Sequence, residues 1–420
     1  MRVVILDPSH ASEAGHHQEL NNALIHGLSG AGHQPEVWVD RALQQAPPYW
    51  PGSDAMGYID PRHWSDLGGC LHLAAKLRQQ WHQAQPLQAT AAAGTVGCWL
   101  AHSLLPFQQI AMAQLLQQQR PALVILSLMF PPGERLGGST ADANARCHEH
   151  MRLCATAAHQ ALAQACLQAG HQLLVGSGSA QTLSQHQALW QAANMHELHW
   201  HPAVVGAAQQ PASSSDDAPS LPTVLLHWGD GKADKGRKEA LAVLQALMQR
   251  PAAQRPQWQL LFHLHSSQAL PEEDEQLLGQ AQASLGGQLQ LLRERVSTAE
   301  MQHLLGHCSL ALLAYDPIAY AQRSSGVLWC YAAARHNSGQ AAAALGYGGH
   351  WLQAEAEALG MAWHTAPVVV TPGDGELWLR AIEKALSQSA AQVPWSAHAQ
   401  RVLGQSFSSW VVEQLQQGRR

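Results

Sequence analysis

No window of the 420-residue sequence approaches the roughly 18 uninterrupted apolar residues that a membrane helix needs, although hydrophobic residues make up 46% of it. A bilayer-spanning helix is thereby excluded, and any membrane contact is expected to be peripheral. A Cys-x-x-Cys pair is also missing. The seven cysteines, at positions 70, 98, 147, 154, 166, 308 and 330, are odd in number and scattered, which argues against both a zinc knuckle and a disulfide framework. A formal charge of −6 leaves no broad basic surface for nucleic acid, so any anion site must be local. Repeats at solenoid periods are absent. The opening Arg2-Val-Val-Ile-Leu-Asp7 lacks the charged, apolar and small-residue zones of a signal peptide and reads as a first buried strand; a cytoplasmic protein is expected. The 26 histidines include clusters such as His196, His199 and His201, or His263 and His265, but they are spread through the whole chain, and no metal site is expected.

What is present is an alternation of strand-like and helix-like patterns, the signature of parallel sheets with crossover helices. The length exceeds what one core usually organises and suggests two domains. Val3 to Leu6 is a continuous apolar run of the kind buried on both sheet faces. A helix follows, with Leu20, Ala23, Leu24, Gly27, Leu28 and Ala31 as one apolar stripe and Gly32 as its stop. Further strands are predicted at Val37 to Val39, Leu123 to Leu128, Gln172 to Val175 and His196 to Trp200, with a long helix from Ala145 to Ala169 ended by Gly170. On that helix Cys147 and Cys154 are expected to face the core. Residues 206–220 (GAAQQPASSSDDAPS) become small, polar and proline-bearing, which marks a linker.

The alternation then restarts, with strands at Thr223 to His227, Gln259 to His263, Gln288 to Leu292 and Leu310 to Ala314. Helices are expected from Lys235, around Glu275 to Ala283, from the capping box Ser297-Thr-Ala-Glu300 to about His307, and from Ser324. The expected organisation is an N-terminal Rossmann-like domain (1–205), the linker (206–220), a C-terminal Rossmann-like nucleotide-binding domain (221–394), and a helix over 395–420 returning to the first domain. Such tandem sheets bind ligands at the carboxyl ends of their strands.

Two segments carry the chemistry. His227-Trp-Gly-Asp-Gly-Lys-Ala-Asp-Lys-Gly236 follows a strand and opens a helix, so Gly229, Gly231 and Gly236 permit close backbone approach while Lys232 and Lys235 supply charge for a diphosphate. Taken alone, it also reads as a solvated helix start with two surface lysines. Tyr320-Ala-Gln-Arg-Ser-Ser-Gly-Val-Leu328 likewise begins a helix, and Ser324, Ser325 and Gly326 are expected to present amides and hydroxyls to an anion.

Together these segments resemble the Gly-x-x-(Arg/Lys)-x-x-Lys-Gly turn and the Arg-Ser-Ser-Gly or Arg-Thr-Ser-Gly turn of GT-B glycosyltransferases of the family 4 type. Gly348-Gly-His-Trp-Leu-Gln-Ala-Glu-Ala-Glu-Ala-Leu-Gly360 resembles a further segment of some members. The resemblance implies an α/β GT-B protein of two facing Rossmann-like domains. It implies a retaining, metal-independent transfer of sugar from a nucleotide-diphosphate donor to a glycan, lipid-linked or small-molecule acceptor, with domain closure about the linker and no cofactor. It carries donor-binding roles to Gly229, Gly231, Lys232, Lys235, Gly236, Arg323, Ser324, Ser325, Gly326, Val327 and Cys330, with catalytic roles for Lys232, Lys235, Arg323 and His102. Gly15, His16 and His17 match a glycine-rich loop near phosphate or acceptor, although His17 reads equally as a loop histidine of no special role. Glu134 is a weaker candidate. The chain departs from the family at its usual Glu-x7-Glu pair, where Gln322 and Cys330 stand, and after Ala334. That departure keeps open a module that binds nucleotide or glycan without catalysis; a sugar-nucleotide epimerase is the other alternative.

Overall fold

The protein is described from a computed structural model covering residues 1–11, 16–43, 47–57, 59, 63–84, 95–129, 132, 141–189, 195–197, 221–229, 231–265, 270–321, 323–348, 351–366, 374–388 and 394–417. The proposed linker at 206–220 lies outside these residues, as do Gly15, Gln322 and Glu134 and the side chains of His16 and Cys147. The chain divides into two compact units, Met1–Val205 with Gln405–Arg420, and Gly206–Gly404.

The N-terminal unit is built on a parallel sheet of seven strands in the order β3-β2-β1-β4-β5-β6-β7. These are β1 (Arg2–Leu6), β2 (Gln34–Asp40), β3 (Tyr49–Ser53), β4 (Val96–His102), β5 (Leu123–Ser127), β6 (Gln172–Ser177) and β7 (Met195–Glu197). β1 lies in the middle, with Ile5 opposite Val37 on one side and Leu100 on the other. Successive side chains of a strand point to opposite faces. Val4 and Leu6 accordingly join one core with Trp38, Trp99, Phe107 and Leu162, while Val3 and Ile5 join another with Leu20, Leu24 and Leu28. The apolar run at Val3 to Leu6 is continuous because both faces are covered.

The C-terminal unit repeats the plan with six parallel strands in the order β10-β9-β8-β11-β12-β13. They are β8 (Thr223–Gly229), β9 (Gln259–Leu264), β10 (Leu289–Leu292), β11 (Cys308–Leu313), β12 (Ala343–Gly346) and β13 (Ala362–Thr365). Ser297 caps the helix Thr298–His307, its hydroxyl accepting from the Glu300 amide at 3.2 Å. The helix expected from Lys235 begins at Arg237, after a 3-10 turn over Ala233–Lys235.

The terminal helix expected from Trp395 to Leu415 is instead two helices, Ala397–Gly404 and Phe407–Gln417. The physical reason is a fresh start at Ser406, whose hydroxyl accepts from the Ser409 amide at 3.2 Å and so caps a new helix. The first piece packs within the C-terminal unit, on the helices Gly326–Asn337 and Trp351–Leu359. Only the second reaches the N-terminal unit, where Phe407, Trp410, Val411 and Leu415 pack with Leu20, Leu24 and Leu28. Gly27 makes that approach possible, since a Cβ there would come 2.5 Å from the Ser408 Cβ. The chain therefore changes units between 404 and 405.

Candidate functional site

In both sheets the strand order reverses beside the first strand of the unit, between β1 and β4 and between β8 and β11. Connections on either side of such a reversal leave in opposite directions and open a crevice at the carboxyl ends of the strands. The sequence-predicted residues that the structure describes lie at these two points.

In the C-terminal unit, β8 ends at Gly229, and the turn that follows is tied to the loop after β11. The Asp316 amide donates to the Asp234 carbonyl at 2.9 Å, and Gly236 packs on Ala314. Gly236 has φ +73°, and a Cβ there would stand 2.7 Å from the Ala314 carbonyl oxygen, so both conformation and space require glycine. Lys235 folds back over β8, its Nζ 3.8 Å from where a Cβ of Gly229 would project, while Lys232 is exposed. Arg323 lies 3.8 Å from the Asp234 carboxylate, with its guanidinium 5.5 Å from the centre of the Tyr320 ring. The lysine turn and the arginine-serine corner thus share one neighbourhood, joined through Asp234. Arg237, which the sequence reading passed over, braces the turn by donating to the Gly231 carbonyl and pairing with Asp274.

The serine hydroxyls have partners within the protein. Ser324 Oγ donates to Glu355 Oε2 at 2.7 Å and accepts from the Trp329 indole at 3.0 Å. Ser325 Oγ donates to Tyr315 at 3.2 Å and accepts from the Leu328 amide as the cap of the helix Gly326–Asn337. Their protons are committed to protein acceptors. What the corner offers an anion is backbone, the amides of Gly326 and Val327, which have no acceptor inside the helix. Glu355, only 1% exposed, supplies a carboxylate behind a corner whose own positions 322 and 330 carry none. Cys330, half-buried on the same helix, is not in a disulfide.

At the N-terminal reversal, Asp7 follows β1, His102 ends β4, and His17 and Asn21 face them from the first helix, His16–Gly30. His17 Nδ1 lies 3.0 Å from Asp7 Oδ2, His102 Nε2 3.3 Å from it, and Asn21 Nδ2 donates to it at 2.7 Å. Burial acts to raise the Asp7 carboxyl, but the adjoining His17 and His102 outweigh it and hold it well below the usual range. Burial acts to lower His17, and Asp7 overrides that to raise it. His10 is lowered by burial. Ser103, just past His102, has φ +59°, uncommon for a residue with a side chain and a mark of backbone held by its surroundings. His102 itself is 1% exposed and contacts Asp7 and Asn21. The sequence reading missed Asp7 and Asn21; the available signal was Asn21 four residues after His17, on one helix face and beside the apolar Leu20 and Leu24.

Donor atoms of Asp7, His17 and His102 lie within 4.8 Å of one another, close enough for one divalent cation. His102 Nε2 also faces two oxygens, Asp7 Oδ2 and Asn21 Oδ1, at hydrogen-bonding distance.

No family model and no curated protein matches the sequence. Solved structures do. Over 100% of this chain and 97% of the other, it is similar to a sucrose-phosphate synthase from Thermosynechococcus elongatus, with a TM-score of 0.54 at 14% identity. A trehalose-6-phosphate synthase studied for glycosyl transfer with retention covers 99% of each chain, with a TM-score of 0.56 at 12% identity. A UDP-forming α,α-trehalose-phosphate synthase from Burkholderia xenovorans, solved with glucose-6-phosphate, gives 0.54 at 14% identity and covers 99% of this chain and 100% of its own. With two Rossmann-like units in tandem and likeness along the whole length of these transferases, the chain has the GT-B fold.

Proposed function

We propose that the protein is a retaining glycosyltransferase that takes a sugar from a nucleoside-diphosphate donor, by the family 4 type of chemistry that its motifs resemble. The observation that carries this reading is the gathering of Lys235, Arg323 and the amide end of the helix Gly326–Asn337 at the β8/β11 reversal. A diphosphate needs this combination: cations to offset its charge and fixed dipoles that need no reorganisation as more charge develops. In the transfer, the bond from the sugar's anomeric carbon to the diphosphate oxygen breaks and its electron pair leaves with the nucleoside diphosphate. The acceptor oxygen bonds to the same carbon and its proton passes to the departing phosphate. Lys235 and Arg323 stabilise that leaving group. The reading includes no metal and no cofactor, and places the protein in the cytoplasm.

The structural neighbours are named for sugar phosphates and, in two cases, for forming UDP, so UDP-glucose with glucose-6-phosphate is the first pair to try. Cys330, at the second position of the family's usual Glu-x7-Glu pair, favours a second reading, a module that binds nucleotide without turnover. Incubation with UDP-, GDP-, ADP- and dTDP-sugars, with and without sugar phosphates, decides between them. Free nucleoside diphosphate with glycosylated acceptor is the expected result. Binding without release would establish the module instead, and an altered sugar still attached to nucleotide would indicate an epimerase.

A further inference from the structure

We propose that Asn21 is a positioning residue of the N-terminal site, setting through its carboxamide which ring nitrogen of His102 and of His10 carries the proton. Its bearing on turnover rests on the function proposed above, whereas the proton placement stands on geometry alone.

Asn21 is fully buried and touches three ionisable groups at once. Its Nδ2 donates to Asp7 Oδ2 at 2.7 Å, and a carboxylate only accepts, so the amide's NH2 end is fixed on that side. The same Nδ2 is 3.0 Å from His10 Nδ1, which must therefore accept; the His10 proton sits on Nε2, 2.8 Å from Gln18 Oε1. The other end, Oδ1, is 3.2 Å from His102 Nε2, which is also 3.3 Å from Asp7 Oδ2. Placed between two acceptors, Nε2 carries the hydrogen. Turning the amide over would set its oxygen against the carboxylate and against His10 Nδ1, leaving buried acceptors without protons at a cost of about 1–3 kcal/mol each.

Among the described residues, the ionisable groups around Asn21 are Asp7 and His10 from the segment after β1, His17 from its own helix and His102 from β4. Tyr49 of β3 continues the network by donating to Asn22 at 2.6 Å. Of these, His17 keeps a side chain 10% exposed, while His102 is fully enclosed. Asn21 thus holds His10, shares His102 with Asp7, and donates to the same carboxylate that pairs with His17.

The test is 15N NMR of the imidazole rings in the full-length protein, with His10→Gln and His102→Gln used for assignment. The Nε2-protonated tautomer is expected at both His10 and His102. In Asn21→Asp, where an acceptor replaces the NH2 group, the His10 proton should move to Nδ1 while His102 keeps its own on Nε2. An Nδ1-protonated His102 or His10 in the unaltered protein, or an unchanged His10 in Asn21→Asp, overturns the proposal. Once a turned-over donor is known, Asn21→Asp should lower kcat at least tenfold and leave UDP affinity by calorimetry within twofold. Parallel losses in both would reduce Asn21 to a structural residue. If no donor is turned over, the proposed function fails while the tautomer measurement still decides this inference.

Discussion

Asp7, Asn21 and His102, at the β1/β4 reversal, are 1%, 0% and 1% exposed, whereas at the matching β8/β11 reversal the Arg323 side chain is 35% exposed and Lys232 is on the surface. The same strand order therefore supports two kinds of site. The N-terminal one encloses titratable groups and pairs most of their polar atoms with one another, His102 Nδ1 being an exception among the described residues, so its chemistry lies in where protons sit. The C-terminal one keeps its charges at the surface on a glycine-bearing turn, where they can meet an anion without leaving a buried partner. Low dielectric strengthens the first set of interactions, and access makes the second usable.

The comparison can be broken at either end, most forcefully at Asp7. Asp7→Asn leaves two imidazoles against a neutral amide in an enclosed site and should cost about 3–5 kcal/mol, read by denaturant unfolding. A loss below 1 kcal/mol would mean that the buried pair contributes little. Lys235→Ala should reduce donor turnover about 100- to 1,000-fold while changing the unfolding midpoint little, because the lysine is only half-buried. Near-normal donor hydrolysis in that variant removes Lys235 from the mechanism.

A pH series sharpens the contrast. His17 is raised in the folded protein, so its contribution is complete below its unfolded value of about 6.5 and disappears as pH climbs through the folded value. Asp7 is depressed, and its contribution is present above about 3.9 and disappears on acidification. His10 and His159, both lowered, act in the opposite sense to His17 on the acid side of 6.5. Subtracting the melting temperatures of His17→Gln from those of the unaltered protein cancels His159 but only part of His10, whose lowering includes repulsion from His17, and the difference should shrink as pH rises beyond 6.5. A flat difference would detach His17 from Asp7.

The smallest effect is expected for Ser324→Ala, with UDP affinity within about threefold, since the serine proton already belongs to Glu355. The expected stability loss is about 1–2 kcal/mol, because the buried carboxylate is left with one donor fewer. A tenfold fall in affinity would restore the hydroxyl to the ligand.

The strand-helix alternation, the stop at Gly32 and the cap at Ser297 were legible because apolar periodicity and capping are local properties. Lys232, Lys235 and Arg323 were legible because glycines and cations at strand-to-helix turns form a short pattern. The break at Ser406 was not, since Val402, Phe407, Trp410 and Val411 continue one apolar stripe across it, and only packing on two different units separates them. Asp7 and Asn21 stood unmarked for a similar reason: their partners come from β4, some 80 residues away, and from neighbouring loops.

By itself the sequence determined that two parallel α/β units form and where glycine- and cation-bearing turns follow their strands, because burial pattern and turn chemistry act over a few residues. Only the tertiary structure decided which polar groups use each other up: Ser324 with Glu355, His102 with Asn21 and Asp7. Hydrogen-bond directions and proton positions depend on atoms brought within 3 to 4 Å by the packed fold, and no local pattern encodes that proximity.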